Sequence, residues 1–416
     1  MRPMSEPTTP SANDERRVKL GWRMVGVAFF VDFVAVGFFF YSYGVFYKAI
    51  AEEFGGDRFG VALGMTAAHT VGALAAPLVG RALDAFPLRN VIGLGAVSMS
   101  VGFLLLSRVS AEWQFLLVLG VFIGFGANSM GTLSTGKLIT NWFNRRRSTA
   151  LGIAATGVSV SGVIMPYVSA ELIEAYGWRQ GFLAYGLFTA FIVLPLVLRL
   201  VVTRPEDVGL SFHAAGSTPP EIEQTQSTAT LLTTPNFWAI ALTFGLLFAC
   251  MSMTMTHMVP RLTDAGYTLT TASLMVSLAA GLGVVGKLGA GWLGDVMALR
   301  RLLWLVIGLQ LAGQAVMFTA ETFISFAVGT AVFGLAAGGM VPLQAALVGE
   351  SFGARSFGSA LGLMRPAMFP IQILGVPFAG LVFDRTGSYD LAFQAALIAY
   401  TLAIGVAWFY RSESGR

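Results

Sequence analysis

The chain has 416 residues, 55% of them apolar and only 12% charged, and a water-soluble domain of that length could not carry this composition without precipitating. Its formal net charge of +4 would invite a nucleic-acid reading in a soluble protein, but in lipid the placement of the cations matters more than their sum. From the start of the chain, Met1 to Gly21 is polar and carries Arg16, Arg17 and Lys19. It lacks the apolar core and cleavage site of a secretory signal, so a cytoplasmic tail over 1–21 is expected.

Crossing a bilayer takes roughly 20 apolar residues per helix. Such runs appear at 22–46, 60–81, 88–107, 112–140, 148–168 and 181–201, then at 236–258, 269–293, 301–319, 322–348, 357–383 and 390–410. Backbone groups in hydrocarbon must be satisfied locally, and these runs are too long and too uniformly apolar for barrel strands, so they are read as helices. Between the sixth and seventh lies 202–235, with RPEDVGL at Arg204 to Leu210 followed by a run rich in Thr, Ser, Pro and Gln. It reads as a linker joining a 22–201 bundle to a 236–410 bundle, with a short tail over 411–416. Counted with both ends inside, seventeen of the 26 cations fall on inner segments and flanks, six on outer loops and three within spans, which puts both termini in the cytoplasm.

Charge at the bilayer centre costs several kcal/mol at minimum, so each intramembrane ionisable group asks for a role and a partner. Asp32 lies about ten residues, roughly 15 Å, into the first span, and Lys137 lies near the inner end of the fourth, within reach in depth. A pair would keep Asp32 ionised, and losing the partner on a conformational change would let it take a proton. Asp32 and Lys137 are the proton-coupling candidates; a structural buried carboxylate and a snorkelling lysine are the plain alternatives. Lys287 in the eighth span and Arg365 in the eleventh sit at similar depth, and two such cations suggest an anion. Pro366 and Pro370 follow Arg365, so a kink with freed carbonyls is expected there, as a hinge or as packing.

Tyr41, in the aromatic outer half of the first span, could stack on a planar solute; Asn128, Gln344 and Gln372 could hydrogen-bond one, or simply join helices. Gly281-x-Gly283-x-x-Gly286 matches a dinucleotide fingerprint on paper, but no strand precedes it and it sits in an apolar span, so it reads as a helix-packing face. The one cysteine, Cys250, is intramembrane and reads as a small buried side chain; His69 and His257 are isolated, and no metal or cofactor is expected.

The two bundles share signatures at a fixed offset. Gly80, Asp84 and Arg89 in GRALDAFPLR match Gly291, Asp295 and Arg300 in GWLGDVMALR, 211 residues on. Thr149 to Gly152 matches Ser359 to Gly362 at 210, and Gly177 with Phe182 roughly matches Gly387 with Phe393. Duplicated bundles place a substrate site near the midplane between the repeats, with transport by rocking one half on the other.

On these residues the chain resembles the major facilitator superfamily. GRALDAFPLR is similar to that superfamily's loop between its second and third helices, although Ala85 stands where a basic residue is usual. The resemblance implies an all-α membrane protein with twelve transmembrane helices in two pseudo-symmetric six-helix bundles. It also implies a latch in which Gly80 and Gly291 let helices approach, while Asp84 and Asp295, with Arg89 and Arg300, engage helix ends of the opposite half. NWFNRRRSTALGIAATGVSVSG (Asn141 to Gly162), Gly177-Trp178-Arg179 and Phe182 look like the monocarboxylate and oxalate/formate transporter branch, and RPEDVGL is usual in its bacterial members. Simple positive-inside anchoring is the alternative for Arg145, Arg146 and Arg147. Lys287 falls where that branch has its helix-eight arginine, Arg365 about a turn from its helix-eleven lysine. Gly283 and Tyr41 replace the aspartate and lysine of the monocarboxylate branch.

The resemblance spans essentially the whole chain and implies a secondary transporter of a small organic anion, proton-coupled or exchanging, in the bacterial inner membrane, monomeric, with the lipid bilayer and a small-molecule substrate as its partners. A larger aromatic or heterocyclic solute such as a riboflavin-like vitamin is the second reading. A membrane sensor or enzyme is the third, for which no phosphate loop, zinc-protease motif, nucleophile elbow or soluble module is found.

Overall fold

A computed structural model describes residues 12–55, 58–143, 147–210 and 228–411. Arg145 and Arg146 of the basic cluster lie outside the described residues, as do the side chains of Arg147, Asp84 and Asp295. Among the described residues twelve helices are long and apolar enough to cross a membrane. They are α1 (Glu15–Glu53), α2 (Arg58–Leu83), α3 (Leu88–Leu106), α4 (Glu112–Trp142), α5 (Ala150–Tyr176) and α6 (Trp178–Leu200), then α7 (Pro235–Asp264), α8 (Leu269–Gly294), α9 (Leu299–Phe318), α10 (Phe323–Phe352), α11 (Ala360–Thr386) and α12 (Asp390–Ala407). Twelve crossings return the chain to the face it started from, here the terminal face; the other is the distal face.

Local sequence explains the helix starts. Pro235, at the first position of α7, has no N–H to leave unpaired. Thr268 caps α8 by accepting from the Thr271 N–H, and Thr322 caps α10 in a reciprocal box with Ser325. Gly177 and Gly387, the pair matched across the repeat, both turn with positive φ, at 82° and 69°, where a side chain would be strained. The polar stretch between α10 and α11, expected as a joint, keeps a helical backbone from Phe323 to Gln372. The spans nevertheless fold back on each other, because Gln344 Nε2 meets Met368 Sδ at 3.2 Å.

Burial separates two cores. One is built from Met24 to Val201 and the other from Leu231 to Tyr410, with Val376, Val45 and Ala170 crossing between them. The start of the linker is tied to the first half: Trp142 Nε1 donates to Val202 O at 2.8 Å and Asn141 Nδ2 to Thr203 O at 3.0 Å. The Asn-Trp of the resemblance motif thus anchors the chain as it leaves α6.

The glycine run of α8 is a packing face, as expected. A Cβ at Gly286 would fall 1.8 Å from Leu335 O of α10, and one at Gly338 only 1.9 Å from Gly283 O. In lipid such close backbone contact is what holds helices together. Gly286→Val should force α8 and α10 apart at a cost of about 3 kcal/mol or more, since a backbone carbonyl cannot swing aside as a side chain can. Thermal unfolding in detergent checks this; a midpoint within about a degree of wild type would refute it.

Candidate functional site

Two irregularities in the first half position its polar groups. α1 passes through a π-helical segment, Gly37–Tyr41, and α4 is broken at Gly131, which separates Phe125–Met130 from Thr132–Trp142. Ser134 Oγ closes the gap by donating to Ser129 O at 2.6 Å. On the same turn, Thr135 Oγ1 donates to the Asp32 carboxylate, 3.1 and 3.0 Å from its two oxygens. Asp32 is 2% exposed, and the start of a half-helix, with its positive dipole end, lies one turn away.

Lys137 is half-buried, but an Asp32–Lys137 contact is absent from the ion pairs found among the described residues. Two residues apart on a helix is about 200° of rotation, so Thr135 and Lys137 cannot both face Asp32. Asn128 sits on the turn before the break beside Gly72 of α2, and its Nδ2 is buried without a described partner.

Across the interface, Lys287 Nζ on α8 donates to Ser159 Oγ on α5 at 2.6 Å. Arg365 is exposed, with no described bond joining it to Lys287. Tyr41 lies over Gly162 of α5, where a Cβ would fall 2.6 Å from the ring and 2.7 Å from Ala280 of α8, so the ring stands where the halves meet. Gln344 faces Met368 of its own half, and Gln372 is half-buried on the last turn before α11 breaks. That break falls at Ile373 and Leu374, a turn beyond Pro370, and Thr66 of α2 donates to the freed Ile373 O at 3.2 Å.

At the terminal face, the latch expected there can be described only at its glycines and arginines. A Cβ at Gly80 or Gly291 would meet nothing within 4 Å. Arg89 is exposed, and Arg300 donates to Trp408 O of its own half at 3.2 Å.

The distal face is shut, by residues the sequence reading passed over. Arg58 and Lys48 read as outer-loop cations and His257 as isolated; the structure joins all three in one network. Arg58, 6% exposed, reaches Asp264 of α7 at 2.6 and 2.8 Å, donates to Tyr389 Oη at 2.6 Å, and lays its guanidinium 3.5 Å over the Phe383 ring. Lys48 reaches Asp264 at 3.0 Å.

Tyr47 donates to Arg58 O and packs edge-on against His257 at 4.9 Å. His257 Nε2 lies 2.9 Å from Val376 O and Nδ1 lies 3.2 Å from Tyr389 Oη. One assignment satisfies every atom: Nε2–H donates to the carbonyl, and Nδ1 accepts from the Tyr389 hydroxyl, whose oxygen accepts from Arg58. Burial, opposed by Arg58, holds the Tyr389 phenol above its usual range, so it stays a donor. The signal that could have found this network is positional: Arg58 opens the second span and Asp264 closes the seventh, so the two share a face in opposite halves.

Residues 29–369 match the Major Facilitator Superfamily. The chain is 26% identical to monocarboxylate transporter 13 of Rattus norvegicus, over 90% of this chain and 85% of that one. It is 28% identical to human monocarboxylate transporter 11, over 94% and 82%. It is 26% identical to the MFS-type transporter YcxA of Bacillus subtilis, over 89% and 90%. Its fold matches that of a bacterial homologue of the human lysosomal transporter Spinster, solved in an inward-facing, unoccupied conformation, with a TM-score of 0.73 at 14% identity over 97% of both chains.

Proposed function

The chain belongs to the major facilitator superfamily, and on that premise we propose that it is a secondary transporter of a small mono- or dicarboxylate, working by alternating access with proton coupling or exchange. In this reading the termini face the cytoplasm of a bacterial inner membrane, and the conformation, closed at the distal face by the Arg58 network, is inward-facing; the open space beside Gly80 and Gly291 supports it. The observation that carries the anion reading is Lys287: a half-buried ammonium where the halves meet, held by one neutral hydroxyl and by no described carboxylate. An intramembrane cation so placed has unspent charge for a ligand carboxylate. The names of the relatives point the same way.

Arg365 is the second cation proposed for the clamp, brought in when the cytoplasmic ends close; Tyr41, Asn128, Gln344 and Gln372 are the flanking contacts. Asp32 with Thr135 is the proton site. Gly80, Asp84 and Arg89 with Gly291, Asp295 and Arg300 form the cytoplasmic latch of the outward-open state.

Uptake of short carboxylates into proteoliposomes tests the reading. Lys287→Ala is expected to raise the half-saturating concentration at least about tenfold, the worth of one charge-assisted hydrogen bond. Arg365→Ala should have a smaller effect. Unchanged uptake in both, or competition by riboflavin-like rings and not by carboxylates, would sink it.

A further inference from the structure

Two carboxylates at the distal face do the same thing at equivalent places in the two halves. Asp384, near the end of α11, accepts from the first backbone N–H groups of α2: Arg58 N at 2.9 Å to Oδ1 and Phe59 N at 2.7 Å to Oδ2. Glu174, near the end of α5, accepts from the first turn of α8: Thr270 N at 2.9 Å to Oε1 and Thr270 Oγ1 at 2.9 Å to Oε2. Glu174 and Asp384 are 210 residues apart and Phe59 and Thr270 are 211, the offsets at which the sequence signatures repeat. Each contact joins one half to the other.

We infer that Asp384 and Glu174 are a repeat-related pair of latches that hold the distal face closed by capping α2 and α8 across the interface. The N–H groups of a first helical turn have no partner inside the helix, and the dipole makes that end positive, so a carboxylate there is held by hydrogen bonds and charge together. The bonds exist only while the halves touch distally. Opening that face breaks both at once and returns four donors to water. The Asp384 contact is the stronger, because it takes two backbone donors, one of them in a part-buried setting, while both Glu174 bonds are exposed and only one is to backbone. Thr268 already caps α8 from its own chain, so α8 keeps an ordered start when Glu174 leaves.

The same logic was expected of Asp84 and Asp295 at the opposite face. With the distal pair the transporter would carry one set of carboxylate caps per gate, so whichever face is shut, two helix starts are capped by the opposite half. The inference needs no statement about the substrate.

The test is a distance measurement on the full chain without any solute. Spin labels go on Arg108→Cys and Glu321→Cys, exposed distal positions in opposite halves, in a Cys250→Ser background. The latched protein should give mainly the shorter distance. Asp384→Ala is expected to raise the ratio of longer to shorter about three- to tenfold, Glu174→Ala less, and the two together by roughly the product, from the usual worth of a helix cap. The pair Asp384→Asn with Glu174→Gln keeps side-chain volume and one acceptor oxygen while losing charge. It should shift the ratio in the same direction by less, and it carries the test if the alanine pair does not fold. A superimposable distribution in whichever pair remains monodisperse and helical overturns the inference. Anion uptake plays no part in the readout, so this result and the substrate reading fail separately.

Discussion

Replacing Arg58 with alanine should leave a folded protein that can no longer hold its distal face closed. The guanidinium is the hub of that face: it binds both Asp264 oxygens, donates to Tyr389, covers Phe383, and its backbone oxygen accepts from Tyr47. Without it Asp264 keeps only Lys48, and Tyr389 loses the donor that orients it toward His257. Removing one partner of a buried pair costs about 3–5 kcal/mol. The low end applies here, because the Asp264 side chain is 27% exposed and a second cation remains. About 3 kcal/mol is roughly a hundredfold in the ratio of distally closed to distally open forms.

Uptake should therefore fall at least about tenfold, and the distal spin-label distance should lengthen. Arg58→Lys should recover only part, since an ammonium cannot make the forked contact to Asp264 and stack on Phe383 together. Exchanging the charges, Arg58→Asp with Asp264→Arg, should recover some closure. An Arg58→Ala protein with wild-type uptake and distances would remove the gate from the account.

The twelve spans were legible because lipid leaves a chain little choice, and the duplication because two loops and two helix starts repeat at one offset. The glycine face of α8 was legible for the same reason, since close packing in a membrane requires small residues in register. Side-chain direction was not. Asp32 and Lys137 were singled out by depth, and depth says nothing of Thr135, whose hydroxyl is the donor described at the carboxylate. The π-helical turn of α1 and the break at Gly131 reset which residues face inward. Neither disturbs the hydropathy that a sequence reading follows.

The distal gate was missed for a related reason. A charge at the end of a span reads equally as an interfacial anchor or as a lock, and only the neighbouring half decides which. The polar joint after α10 keeps a helical backbone even though it holds Gly349, Gly353 and Gly358, each of which costs a helix about 1 kcal/mol relative to alanine.

The last expectation concerns Asp32. A carboxylate 2% exposed inside the membrane, with one described hydroxyl donor, is a costly arrangement unless it changes protonation during the cycle. Thr135 has a single hydrogen and two acceptors to give it to: Asp32 at 3.0 Å and the Gly131 carbonyl at 3.4 Å. With Asp32 charged, the hydrogen goes to the carboxylate. With Asp32 protonated, the acid donates to Thr135 Oγ1 and the hydroxyl turns to Gly131 O, the N-cap carbonyl of the half-helix that starts at the break in α4. Protonation is thereby tied to the backbone at the one place where α4 is discontinuous.

Asp32→Asn mimics the protonated state. It is expected to cut uptake driven by a pH gradient by about tenfold or more, as loss of a general proton carrier should, while leaving solute exchange within about twofold of wild type. Thr135→Val should give an intermediate loss, because the charged carboxylate then has no described donor. Proteoliposomes loaded with a pH-sensitive dye report the proton movement directly. Gradient-driven accumulation that survives in Asp32→Asn would place the coupling group elsewhere and leave Asp32 a structural acid.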